Sequence, residues 1–335
     1  MTIKEFSYIN PLYLIGLFLI CPLLVVTSLV DIVFLDGLIK KILPAKPEDW
    51  AFWLVIFNLP HIISSFLTLA DKSNVSKYGS RVLKATLLLI FLSILFNGII
   101  PLNLSGSDLY NFQLIFFACY GFATIYHVLT QQLGVGLILS GVAPDSTYRY
   151  FKWFSIWLSY ILFLLVISGD QIFDDRSYFV EYIYYFCTVL LIACLYLSGK
   201  IASASKTKVG LIYICSNMFM IMSVFIFATL EYTIFALIVP RFIHDLTAFI
   251  LYANHDSNKF ANNNGNYIYR IFNGRLPIVI ISPVIGMVVA AAINSSVAWF
   301  LLYSIFIFDF LHYYIESFIW KGGGSHRDFL RIKQC

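Results

Sequence analysis

The sequence predicts an all-α polytopic membrane protein, a bundle of about eight to ten transmembrane helices with both termini cytoplasmic. Three observations predict it. Hydrophobic residues make up 60% of the 335 and charged residues only 12%, where soluble domains carry about a quarter charged. Apolar runs recur at lengths close to the ~20 helical residues that a bilayer core of ~30 Å requires. Lysine and arginine gather in alternate connections between those runs, as the positive-inside rule demands.

Ten apolar segments follow in order, near 11–35, 51–70, 82–101, 112–136, 151–169, 178–199, 208–229, 231–252, 276–294 and 296–320. The first is too long for a signal-peptide core and reads as a retained span. The joints at 229–231 and 294–296 are short enough that either pair could form a re-entrant hairpin, which is why the expected number has a range. With ten spans and the termini inside, 17 of the 22 Lys and Arg residues fall on the inner side and four (Lys40, Lys41, Lys46, Arg176) outside, leaving Arg241 within a span. The whole chain, 1–335, reads as one integral-membrane domain of a multi-pass protein, with the cell membrane as its expected location. The asparagine-rich stretch 254–275 reads as a polar cytoplasmic loop, and 321–335, released by Gly322, Gly323 and Gly324, as a basic cytoplasmic tail. The six cysteines show no Cys-x-x-Cys pair and read as small apolar packers. The net charge of +4 is spread between spans, so nothing points to nucleic acid.

Function is read from ionisable residues inside the spans. His61, His127, His244 and His312 each lie far from the ends of a different hydrophobic segment. An ionisable group at that depth costs roughly 2.5–3.5 kcal/mol on insertion scales and usually marks a site. The second, fourth, eighth and tenth spans run in the same direction, which places the four imidazoles at similar depths, from the centre to the cytoplasmic half. Asp309, His312 and Glu316 are spaced three and four residues apart and share one helical face. Arg241 and Asp245 flank His244 and are spaced for an i,i+4 ion pair. Asn58 precedes His61 by one turn and Gln131 follows His127 by one turn. A metal-bound imidazole usually gives its second N–H to such a partner. Pro60 and Pro240, next to His61 and Arg241, disturb the helix ladder where these groups cluster. His255 follows His244 by eleven residues, about 16 Å along a continuous helix, so with Asp256 it is placed at the mouth of the site or in a second site. The bland alternative is that a lone intramembrane histidine only hydrogen-bonds a neighbouring helix, and Arg241–Asp245 is read as structural on the same ground.

Neutral imidazoles beside carboxylates in a dry place suit Fe(II), whose nitrogen and oxygen ligand sets leave positions open for dioxygen. Zinc takes the same ligands, and haem takes axial histidines. The expected metal ligands are therefore His61, His127, His244 and His312, with Asp245, Asp309 and Glu316 orienting ligands or moving protons. The rival reading uses the same residues as the relay of a proton- or cation-coupled secondary transporter, and a third makes the chain a haem-binding redox protein. No desaturase or hydroxylase histidine box, zinc-protease His-Glu-x-x-His or nucleotide-binding glycine loop occurs.

Three islands carry a family resemblance: Leu59-Pro60-His61, Phe242-Ile243-His244-Asp245, and the segment from Leu311 through His312 to Glu316. They resemble the Pro-His and histidine-plus-acid segments of the Brp/Blh β-carotene 15,15'-dioxygenases. The resemblance implies a polytopic non-haem iron oxygenase whose histidines come from several helices. It implies an apolar substrate too, and with no large polar domain to capture a soluble molecule a lipophilic substrate is expected to enter laterally, so the expected partners are that substrate, the lipid bilayer and dioxygen. The redox partner is left open.

Overall fold

The structure, a computed structural model, describes residues 6–44, 51–172, 177–262, 265–272, 277–295, 299–320 and 328–333. Among them the chain is helical and no strand forms, so the all-α polytopic bundle is the architecture found. Each of the ten apolar segments forms helix: α1 (Pro11–Phe34), α2 (Ala51–Leu69), α3 (Lys72–Ile94), α4 (Gly106–Ser140), α5 (Ser146–Ile172), α6 (Ser177–Ser203), α7 (Lys208–Thr229), α8 (Thr233–Asn262), α9 (Ile278–Ser295) and α10 (Trp299–Ile319). Among the described residues, six of these (α1 and α4 to α8) are long and apolar enough to cross a membrane. The first half of α3 is diluted by Lys72, Lys77, Arg81 and Lys84. Lys4, Lys46, Arg176, Arg275, Lys321, Arg327, His326 and the three glycines at 322–324 lie outside the described residues.

The chain divides into two compact units, and the division falls inside α2, α4 and α8. The first comprises the described residues of 1–10, 54–115 and 248–333; the second comprises those of 11–53 and 116–247.

In the first unit α10 has two working faces. Leu311, Ile315 and Ile319, spaced by four, pack against Val82, Ala85 and Leu89 of α3 and Phe66 and Leu69 of α2. Asp309, His312 and Glu316 lie on the other face and are buried. Ile63 and Leu67 of α2 pack with Ile281 of α9 and with Tyr269 of a short helix, Tyr267–Phe272. Pro60 sits inside α2 without breaking it. Its carbonyl accepts from the hydroxyls of Ser64 (2.8 Å) and Ser282, which bridge α2 to α9. Gly286 makes that approach possible, since a Cβ there would stand 3.1 Å from the Pro60 nitrogen.

The stretch 254–275, expected as a polar loop, is largely helical: α8 continues to Asn262 and the short helix follows. Its polarity serves internal bonding instead of solvation. Asn254 and Asn258 bind two chain segments, 6–10 and 328–333, that run side by side. Asn258 accepts from Ser7 N–H (2.8 Å) and donates to Phe329 O (2.9 Å), while Asn254 accepts from Arg331 N–H (3.1 Å). Ile9 and Ile332 form a parallel bridge between the two segments, so the described part of the expected tail is tied down. Lys259, also buried, reaches Asp71 at 3.0 Å and the Ser73 hydroxyl at 3.0 Å.

Asp71 is the N-cap of α3 and accepts from the Ser73 amide at 2.9 Å, satisfying one orphan donor of the first turn. Burial pushes its carboxyl up, but the bonds from Ser73 and the Lys259 ammonium outweigh this and hold it below the usual carboxylate range. The contribution of a depressed carboxylate is fully present above its unfolded pKa, about 3.9, and is lost as pH falls through the lower folded value. Asp71→Asn keeps a capping oxygen and removes the charge. The variant is expected to be less stable than the parent at neutral pH, and the gap should close as the parent is titrated below about pH 4, as followed by thermal unfolding in detergent.

In the second unit α7 is the central helix. Of its most apolar window 56% is buried, against 11% for α6, so α7 is enclosed by neighbours and α6 faces outward. Tyr213 and Phe227 of α7 are fully buried, and Tyr213 packs edge-on against Phe18 of α1 at 5.2 Å. Asp31 of α1 closes one end, accepting from the Tyr232 hydroxyl (2.6 Å) and from the amides of Ile39 and Lys40. The five described cysteines are free thiols, in keeping with a packing role.

Candidate metal centre

Asn58, His61 and Ser65 recur at helical spacing on one face of α2, as Asp309, His312 and Glu316 do on α10. In the first unit these faces meet, and the continuation of α8 adds Tyr252, His255 and Asp256.

The meeting is layered. Asn58 Nδ2 donates to Asp309 Oδ1 at 3.1 Å, so the two outermost residues satisfy each other. One turn further, the His61 and His312 rings stand edge to face with centroids 4.3 Å apart at 87°. Glu316 lies between their outer nitrogens: Oε1 is 3.5 Å from His61 Nε2 and Oε2 is 3.7 Å from His312 Nε2. One ligand atom each from His61, His312 and Glu316 falls within 4.8 Å of the others, and all three residues are buried. Tyr252, also buried, donates its hydroxyl to Glu316 Oε1 at 2.6 Å.

Ser65 decides how His312 can act. Its hydroxyl hydrogen is given to the Ile62 carbonyl at 2.7 Å, so towards His312 Nδ1, 3.0 Å away, the oxygen can only accept. With that hydrogen on the Ile62 carbonyl, Nδ1 carries the proton and the lone pair of a neutral His312 lies on Nε2, 3.7 Å from Glu316 Oε2. The separations of 3.5 and 3.7 Å exceed good hydrogen bonds. Ligands of one ion stand about 3.0–3.5 Å apart when each is about 2.1 Å from the metal, so the first separation falls at the edge of that range and the second a little beyond it.

The neighbouring His255 and Asp256 form a separate dyad in the same unit, Nδ1 to Oδ1 at 2.7 Å. Asp256 also accepts from Thr68 (2.8 Å) and Tyr269 (2.5 Å). Burial and the Asp256 carboxylate hold the Tyr269 phenol well above its usual range, so it remains a donor across physiological pH. The sequence placed this dyad at a mouth; the structure encloses His255 fully, with Trp320 and Phe329 edge-on to its ring at 5.6 and 6.0 Å.

The second unit holds the other two histidines. The rings of His127 on α4 and His244 on α8 stand 5.2 Å apart at 81°, and both are buried. Arg241 Nε is 3.6 Å from Asp245 Oδ2, the i,i+4 ion pair expected from the spacing, and Asp245 Oδ1 is 3.9 Å from His244 Nε2. Gln131, the expected partner of His127, is half-buried; its neighbour Gln132 is the buried one and accepts from the Tyr213 hydroxyl at 2.6 Å.

Of the residues singled out in the sequence, the first unit thus brings together His61, Asn58, Asp309, His312 and Glu316, and it adds Tyr252 and Ser65, which the sequence reading did not name. Ser65 had a signal, since it falls one turn after His61. Tyr252 had none among 22 tyrosines. No known protein family matches this chain, and no curated protein or solved structure matches it.

Proposed function

We propose that this protein is an integral-membrane, metal-dependent oxygenase in which His61, His312 and Glu316 hold one iron(II) ion that acts with dioxygen on a lipophilic substrate. The observation that carries the reading is the convergence of two imidazoles and one carboxylate in a buried place. Two histidines and one carboxylate with further positions open are the set used by non-haem Fe(II) oxygenases. Iron bound there supplies dioxygen activation for oxidation or cleavage of a C–H or C=C bond. The substrate class follows from the setting: a site on apolar helices is reached laterally from the bilayer by an apolar molecule. The islands at His61, His244 and His312 that resemble the β-carotene dioxygenases support both the iron and the apolar substrate.

The test is to purify the protein in detergent, reconstitute it with iron(II) without oxygen, remove loose metal and count what remains. One iron per chain and substrate-dependent dioxygen uptake with a conjugated polyene are expected. C=C cleavage takes both oxygen atoms of labelled dioxygen into the two carbonyl products. A chain that retains no iron, or retains it without oxygen uptake on any lipophilic substrate, overturns the reading. The sequence expectation assigns His127 and His244 to the ion as well, so their alanine variants are measured alongside.

A further inference from the structure

We infer that Tyr252 is a positioning residue that makes Glu316 a one-oxygen ligand, coordinating through Oε2 alone. The inference rests on the metal centre proposed above and adds how its carboxylate is used. The Tyr252 hydroxyl donates to Glu316 Oε1 at 2.6 Å, within the range of a strong charge-assisted O–H···O bond. The bond is enclosed, with Tyr252 1% exposed and Glu316 4%, so water does not compete for it. The phenol ring is held on two sides, by Trp320 at 5.1 Å and His61 at 6.5 Å, and cannot swing away without disturbing both.

A carboxylate binds a cation through one oxygen or chelates it through two. Chelation requires both oxygens to turn symmetrically towards the ion. Here Oε1 accepts the phenol hydrogen and stands 3.5 Å from His61 Nε2, while Oε2 stands 3.7 Å from His312 Nε2. With Oε1 engaged by the phenol, Glu316 would give the ion one oxygen, Oε2, and leave a further position for substrate or dioxygen. That spare position matters in an oxygenase, where substrate or dioxygen must reach the metal. Glu316→Ala removes a ligand, whereas Tyr252→Phe keeps all three and removes only the restraint.

Two measurements test this, neither of them turnover. The first is infrared difference spectroscopy of the wild-type protein with cobalt(II) added to the metal-free form, with and without 13C-glutamate. A wide separation of the carboxylate stretches, the mark of one-oxygen ligation, is expected, and a narrow separation overturns the inference. The second compares Tyr252→Phe with the parent, both loaded with cobalt(II). The variant is expected to retain the ion while its carboxylate separation narrows, its visible d–d absorption weakens as coordination number rises, and azide binding to the ion is lost. A variant with the parent's spectra and azide affinity overturns the inference. The wild-type infrared result stands even if the variant fails to fold. A wild-type chain that takes up no ion overturns the metal centre and this assignment with it; a retained ion with chelating stretches overturns this assignment alone.

Discussion

With the metal centre proposed above, substituting His312 by alanine is expected to abolish metal retention, with bound iron or cobalt falling from about one per chain to a trace under chelator competition. The size of the effect follows from the small number of donors the first unit brings together. With His61, His312 and Glu316 as the set, removal of one leaves two ligands, a solvent-filled gap and a buried carboxylate with less charge compensation. His61→Ala and Glu316→Ala should match it. Two other substitutions calibrate the scale. Ser65→Ala leaves every ligand but removes the acceptor that keeps the proton on His312 Nδ1, 3.0 Å away. Loss of such an outer partner costs about 10–100-fold in affinity. Asp309→Asn should be nearly silent in metal retention, because Asp309 is engaged with Asn58 at 3.1 Å. Stability supplies a second readout. An ion at about 100 times its Kd stabilises the folded protein by about 2.7 kcal/mol, so added metal should raise the parent's melting temperature and leave that of His312→Ala unmoved. Equal retention across the series would mean that the ion, if any, is held elsewhere.

How far the site could be read in advance depends on whether its partners share a helix. Asp309, His312 and Glu316 were visible because a 3.6-residue period brings three- and four-residue neighbours to one face, and the same logic exposed Asn58 beside His61. Arg241–Asp245 was legible for the same reason. Bonds between helices were not. Nothing near Tyr252 in sequence announces Glu316, 64 positions away, and a tyrosine in a membrane helix is usually an apolar packer or interface anchor. The 254–275 stretch shows the opposite error. Its Asn, Asp and Lys residues look like solvated loop because their partners, Ser7, Thr68, Asp71 and Phe329, come from other parts of the chain. A polar run read alone cannot show whether water or protein satisfies it. The ten helices were legible because each segment is apolar in bulk, although among the described residues six are long and apolar enough to cross a membrane. The division into two units was not, since it falls within α2, α4 and α8 and leaves no break in hydropathy.

The largest loss of stability from a single added methyl is expected at Gly210, in the first turn of α7. A Cβ built there would lie 2.2 Å from the Ser140 Cα, 2.4 Å from its nitrogen and 2.7 Å from the Leu139 carbonyl carbon. All three atoms are backbone, so no rotamer change can relieve the overlap and one helix end must move. Overpacking of a tight site costs about 1–3 kcal/mol and more where the backbone has to shift. Movement is resisted here by bonds that tie the end of α4 to the start of α7. Thr207, the N-cap of α7, accepts from the Gly210 amide at 2.9 Å and donates to the Leu139 carbonyl at 2.6 Å. Lys206 N–H donates to the Ser140 carbonyl at 2.9 Å, and Gly141, at φ +65°, turns the chain out of α4 in a conformation that disfavours other residues. Gly210→Ala pushes against each of these at once. Thr207→Ala, which removes the cap and leaves the Leu139 carbonyl without its donor, should cost less, about 1–2 kcal/mol. Thr207→Ser, which keeps both bonds, should stay near the parent. Because membrane proteins often unfold irreversibly, the comparison is best made as the temperature at which half the detergent-solubilised protein leaves the monodisperse peak at a fixed heating rate. The order expected is Gly210→Ala lowest, then Thr207→Ala, then Thr207→Ser. An alanine at 210 as stable as the parent would mean that α4 and α7 stand further apart than their caps require.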